Sequence, residues 1–232
     1  MIYLHQIPGS WGASSLSPFC IKLELWLKMA GLPYEERPVK QNEMPKGKVP
    51  YVSEDGRILG DSQLIIEHLT QKHGVTLDDH LTVKQRAIGR AMRRMLEEGT
   101  YWVVVASRWQ FDDGWQELKP SITRLVPGGL GAVVAPLLRA GVKKQVHAQG
   151  TGRHSPEELL QMGAADIDAL AELMDGNAFV MGDLPSSFDA TVYAFLRAIT
   201  CFPIENVVSK AVKNHANLLA YMERIQQKYG IA

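Results

Sequence analysis

The chain has 232 residues, 46% of them hydrophobic and 22% charged, which is the make-up of a folded globule with one large domain or two modest ones. Lys plus Arg and Asp plus Glu both total 25, a balance that gives no support to nucleic acid or an acidic membrane as the main partner. Cys20 and Cys201 are too few for a secreted disulfide framework and fit a reducing cytoplasm.

Residues 2–7 form a short apolar run, a first strand, without the basic start of a signal peptide. Pro8 to Ser15 is a loop by composition. From Pro18 onward Phe19, Leu23, Trp26, Leu27 and Ala30 recur at helical spacing, and Gly31 ends the run. Residues 34–39 read as a second strand. Two further short strands, around 49–53 and 58–59, flank Asp55-Gly56, a strong hairpin signal. Asp61-Ser62 then opens a helix with Leu64, Ile65 and Leu69 on its buried face. This order predicts a small mixed sheet faced by helices over residues 1–75. The remainder, 82–232, reads as all-helical, with helices over 82–111, 156–174, 187–200 and 214–229. The apolar stretch Leu125 to Leu138 is broken by Pro127, three glycines and Pro136. It falls short of the ~20 residues of a membrane span and reads as a connection or a site cover.

Three places carry candidate chemistry. Pro18 suits a first helical position, which makes Ser17 the N-cap, with its hydroxyl beside free amides at the positive end of the helix. A thiol held there ionises more easily, and Cys20, one turn in, shares the field. An ordinary cap over a buried cysteine is the plain alternative. The loop before it adds Trp11, Ser14 and Ser15, and either serine stands as an alternative to Ser17. In the second place, Val49-Pro50, a cis bond turns the Val49 main chain outward toward a peptide-like ligand; a proline that begins an edge strand is the alternative. In the third, Asp61-Ser62, helix-start amides and a hydroxyl suit a carboxylate, and Asp61 suits an ammonium group; the alternative is again a cap. Further along, Glu97, Tyr101, Trp102, Arg108 and Trp109 share a helix facing the first domain. With Trp11, Tyr101 and Arg108 are the candidates to border a hydrophobic co-substrate, while core packing is the plainer role of Trp102 and Trp109. Ser186-x-x-Asp189 has capping-box spacing and is assigned to folding. His68 and His73 lack a third ligand, so no metal site is expected.

Taken in order on one β-α-β-β-β-α-like unit, these residues resemble the thioredoxin-fold glutathione transferases. The resemblance implies a thioredoxin-like N-terminal domain followed by a helical transferase domain. It makes Ser17 the catalytic residue that holds the glutathione thiolate. Val49-Pro50 would grip the cysteinyl backbone through a cis-proline, Asp61-Ser62 would hold the γ-glutamyl end, and Lys48, with Lys46 behind it, would reach a carboxylate. Glutathione is then the co-substrate, a small hydrophobic electrophile or a peroxide its partner, and the assembly a homodimer. Ser17-Pro18-Phe19-Cys20-Ile21-Lys22-Leu23-Glu24, Gln149-Gly150-Thr151-Gly152-Arg153-His154-Ser155 and Gly182-Asp183-Leu184-Pro185-Ser186-Ser187-Phe188-Asp189-Ala190 resemble the failed-axon-connections and metaxin-like branch. That likeness carries a second expectation, a non-catalytic binding or scaffold protein on the same fold. Cys20 carries a third, a thiol reductase acting through a mixed disulfide.

Overall fold

Four strands come from the first sixty residues: β1 (Ile2–His5), β2 (Tyr34–Arg37), β3 (Tyr51–Glu54) and β4 (Arg57–Gly60). The computed structural model, which describes residues 1–231, arranges them in the order β2-β1-β3-β4. β1 runs parallel to β2 and antiparallel to β3, and β3 pairs antiparallel with β4. Only the parallel pair needs a crossover, supplied by helix α1 (Pro18–Met29). The β3–β4 turn is the expected Asp-Gly hairpin. Asp55 and Gly56 both take positive φ, 50° and 78°, the pair of values a type I′ turn requires. Helix α2 (Ser62–His73) follows β4 and ends on Gly74 in the left-handed region. Its Leu64, expected on the buried face, is 43% exposed and lines a cleft instead.

The rest is helical: α3 (Val83–Arg94), a π-helical turn (Met95–Thr100), α4 (Tyr101–Trp109), α5 (Asp112–Leu125), α6 (Gly131–Gln149), α7 (Pro156–Leu173), α8 (Ser187–Cys201), α9 (Val207–Asn214) and α10 (Ala216–Tyr229). Residue 232, the end of the expected helical domain, lies outside the described residues. The stretch from 125 to 138 is a connection only as far as Leu130; from Gly131 it is the start of α6. Capping is laid out in the sequence. Thr82 with Gln85 and Ser155 with Glu158 make reciprocal boxes, and His154, just before the second, has Nδ1 3.8 Å from Glu158. The buried Ser186–Asp189 box opens α8, and Asp189 also accepts from the Val180 amide at 2.9 Å. Among the described residues no helix is long and apolar enough to cross a membrane.

α1 packs against α8, so the sheet and the helices share one main core. Trp26, Tyr51, Tyr193, Phe195 and Tyr221 are fully buried. A smaller cluster of Trp115, Leu118, Ile122, Ala135 and Phe202 seals α5 onto α6. The joint between the two parts is also pinned by polar bonds. The Asp78 carboxylate, on the connection between α2 and α3, accepts from the amide and the hydroxyl of Ser187 at the head of α8.

Candidate functional site

The loop after β1 decides where the first helix begins. Leu16 N–H bonds back to the Pro8 carbonyl at 3.2 Å, and Ala13 N–H to Ser10 at 3.0 Å, folding residues 8–16 tightly on themselves. The fold is so close that a Cβ on Gly9 would stand 1.7 Å from the Ala13 carbonyl oxygen. Ser15, buried, donates to the Ile7 carbonyl at 2.8 Å and accepts from the Ser17 amide at 3.3 Å. Its hydroxyl is therefore engaged in holding the loop. The Ser14 hydroxyl oxygen is also buried and is absent from the cleft lining.

Ser17 takes the N-cap position with extended backbone, and Pro18 the first helical position. Its carbonyl accepts from the amides of Cys20 and Ile21 at 3.0 and 3.1 Å. Its half-buried side chain makes no capping bond, and its hydroxyl lies beside the Cys20 thiol. Cys20 is fully buried. Burial pushes its thiol up to about 11, and the neighbouring Ser15, Ile7 and Ser17 groups offset only part of that rise. The first-turn thiol is thus harder to ionise, contrary to the easier ionisation expected from the helix dipole alone, because loss of solvent outweighs it.

Ser17 opens onto a cleft of about 790 Å³ between the sheet edge and the helices. Gly47, Lys48 and Val49 line one wall, Asp61, Ser62, Gln63 and Leu64 another. The Val49-Pro50 bond is cis, and Pro50 is buried behind Val49. Lys48 is exposed. Asp61 adopts φ 79° and ψ 114°, a left-handed value costly for a residue with a Cβ, and its carboxylate accepts from the amides of Gln63 and Leu64 at 3.1 and 3.2 Å. Ser62 begins α2 and is 5% exposed. With the Gln63 and Leu64 amides taken by Asp61, the Ser62 hydroxyl and main-chain N–H are the groups at this helix start that suit a carboxylate.

The far wall belongs to the helices. Tyr101 is edge-on to Phe19, their ring centroids 5.0 Å apart, which ties the far wall to the first turn of α1. Burial raises the Tyr101 phenol, and the nearby Arg108 offsets part of the rise. Arg108 is 5% exposed and still reaches the lining. Its guanidinium donates to the carbonyls of Leu16, at 3.1 Å, and Ala198, and lies over the Phe202 ring at 5.0 Å. Trp102 and Trp109 border the cleft while also packing against the core. Arg90, Arg93, Arg94, Glu97 and Glu98 give this wall both signs of charge.

Ser17, Lys48, Val49, Asp61, Ser62, Tyr101 and Arg108 therefore face one cavity, with Pro50 behind it. Trp11 does not join them. Its indole donates to Glu117 at 2.9 Å and packs edge-on against Phe202 in the smaller cluster, where the folded loop directs it. Lys22 escaped the sequence reading. It is 1% exposed and bonds Glu97 at 2.6 Å and Gln63 at 2.9 Å. A signal was present: Lys22 lies three residues after Phe19 and four before Trp26, on the apolar stripe, where a charge needs a partner.

Family models described as the glutathione S-transferase N-terminal domain and the glutathione S-transferase C-terminal domain match residues 18–114 and 163–225. An isoprene-epoxide–glutathione S-transferase of Rhodococcus sp. (strain AD45) is 35% identical over 244 aligned residues, covering 100% of both chains. Failed axon connections of Drosophila melanogaster is 29% identical over 98% of this chain and 58% of its own length, which bears out the resemblance to that branch. Among solved structures, a glutathione transferase from Populus trichocarpa superposes with a TM-score of 0.63 at 16% identity, over 97% of this chain and 93% of the other. The sheet-and-helix unit is a thioredoxin-like domain and the helices after it a transferase helical domain. End-to-end identity to a transferase, matched at both ends by the family's own domains, makes this chain a member of the glutathione S-transferase family.

Proposed function

We propose that the protein is a glutathione transferase that holds the tripeptide along Ser17, Val49, Asp61 and Ser62 and presents its sulfur to an electrophile on the Tyr101–Arg108 side. The observation that carries this reading is the convergence of those residues, from separate elements, on one cleft. Its volume of about 790 Å³ falls within the roughly 300–1,000 Å³ typical of small-molecule sites. The residues present fit the ligand. Among the described residues no hydrogen bond takes the main-chain N–H or C=O of Val49, which leaves both for a peptide. Asp61 offers a counter-charge to an ammonium group, Ser62 at the start of α2 suits a carboxylate, and the exposed Lys48 on the lining suits a second one.

When bound, glutathione supplies a thiol whose thiolate is the nucleophile. The Ser17 hydroxyl, free of any capping bond, donates a hydrogen bond to that sulfur at the positive end of α1. Tyr101, which lines the cleft, donates in this reading to an oxygen that gains charge as the electrophile opens, and the buried Arg108 cation lowers the cost of that charge. The name of the 35% identical relative supports a small epoxide as the electrophile; a peroxide suits the same site.

A non-catalytic binding protein on this fold is the second reading, supported by the relative whose name carries no transferase activity. The reductase reading is weaker, since burial opposes the Cys20 thiolate that disulfide exchange needs. Two free thiols support a reducing cytoplasm, and the fold supports a homodimer. Glutathione-affinity retention followed by conjugation of chloro-dinitrobenzene tests the proposal. Retention and turnover are expected; retention without turnover with this probe or a small epoxide selects the binding protein, and failure of both overturns the site.

A further inference from the structure

A polar link that the reaction outlined above does not use runs behind Gln63 and Glu97 of the cleft lining. Lys22, in the middle of α1 and 1% exposed, places its ammonium 2.6 Å from Glu97 Oε1 and 2.9 Å from Gln63 Oε1. Glu97 is 9% exposed and sits in the π-helical turn between α3 and α4, with Arg93 Nη1 3.9 Å from its other oxygen. Gln63 is held at both ends: its amide nitrogen donates to Glu67 at 3.1 Å, and its backbone N–H donates to the Asp61 carboxylate at 3.1 Å.

These bonds join three elements in series. The helical domain fixes Glu97, Glu97 fixes Lys22, and Lys22 holds the side chain of Gln63 in the first turn of α2, the turn whose backbone amides at Gln63 and Leu64 hold the Asp61 carboxylate. Two features mark the link as more than packing. A buried ion pair adds little net stability compared with an apolar pair of the same volume, so its presence calls for another role. Asp61 is also held at a left-handed φ of 79°, a conformation that persists only where its surroundings over-determine it.

We propose that Lys22 and Glu97 are positioning residues that lock the Asp61–Ser62 turn against the helical domain and thereby fix the γ-glutamyl end of bound glutathione. The inference rests on the reading of the cleft given under the proposed function. Neither side chain is asked to touch the sulfur or the electrophile.

The test is a binding measurement on the full chain. Lys22→Met alone strands a buried carboxylate and lowers the melting temperature, so the discriminating protein is the double variant Lys22→Met/Glu97→Gln, which removes both charges of the pair and leaves Arg93 beside a neutral amide. A second variant, Gln63→Met, keeps the ion pair and the backbone bond to Asp61 and removes the side-chain bond that ties Lys22 to the first turn of α2. Both are expected to melt within about 4 °C of the wild type, the shift of roughly one weak interaction in a chain of this size. By calorimetry both should bind glutathione about tenfold more weakly, the loss that goes with one hydrogen bond to a charged group. Cysteinylglycine, which lacks the γ-glutamyl residue, should bind the variants as it binds the wild type. Equal weakening toward both ligands would mean general loosening of the cleft and overturn the proposal, as would undiminished glutathione affinity. A wild type that binds no glutathione overturns the reading of the cleft and this inference with it, a result distinct from a variant that binds normally.

Discussion

Ser17 is the residue whose role is most sharply defined by what its side chain does not do. It occupies the N-cap, yet its hydroxyl makes no capping bond. Ser17→Ala should therefore leave folding stability within about 0.5 kcal/mol, as for a surface change that removes no cap. If its hydrogen bond holds the thiolate, the same change should lower kcat/KM for conjugation about 100-fold, the scale on which loss of one charge-stabilising donor acts. Thermal melts beside steady-state rates check both halves; an unchanged rate would assign the sulfur to another donor. Ser17, Val49, Asp61 and Ser62 were legible in the sequence because each depends on local rules: proline at a helix start, proline at a strand start, an acid-serine helix cap. Trp11 was not, since a loop's composition does not say which way it folds back. Lys22 and Glu97 lie 75 positions apart, and only the stripe of α1 hinted that Lys22 needed a counter-charge.

Elements were readable where their punctuation was clean. Asp55-Gly56 announced the hairpin and Gly31 the end of α1. Helices α5, α6 and α9 were not foreseen. α5 contains Pro120 and α6 contains Pro136, each of which removes an internal hydrogen bond and reads as a break, and neighbouring helices offset that loss in the folded chain. Tertiary packing also governs α3 against α8. Gly89 of α3 meets the ring of Phe188 so closely that a Cβ there would stand 2.4 Å from it, far inside the ~3.5–4.0 Å optimum for carbon contacts. Helix propensity alone would favour alanine at this position by roughly 1 kcal/mol. We expect the opposite sign: Gly89→Ala should destabilise by about 1–3 kcal/mol through overpacking, and Phe188→Leu in the same chain should recover part of the loss. Denaturant titration of the two single variants and the double variant measures the coupling. A stabilised Gly89→Ala would show that the two helices part at little cost.

At the scale of the whole molecule, the sheet and the helices cannot unfold independently without exposing the core shared by α1 and α8. Asp189 stands at the centre of that unit. Its carboxylate takes the Val180 amide and the Ser186 amide and hydroxyl, while its own carbonyl accepts from Tyr221 of α10 at 3.0 Å. Burial dominates over those bonds and pushes the carboxyl from 3.8 up to about 6. A carboxyl that binds its proton more tightly folded than unfolded favours the native state most when protonated. Its contribution is thus fully present below about 3.8 and is lost as pH rises through about 6. With about 1.4 kcal/mol per unit, the step is on the order of 2–3 kcal/mol. Urea unfolding between pH 4 and 7 should show this fall superimposed on the other titrations, and Asp189→Asn should remove that component of the slope even if it lowers stability at every pH. An unchanged slope would mean that the hydrogen bonds to the ionised carboxylate balance its burial. The box at the head of α8 would then be equally stable in either protonation state.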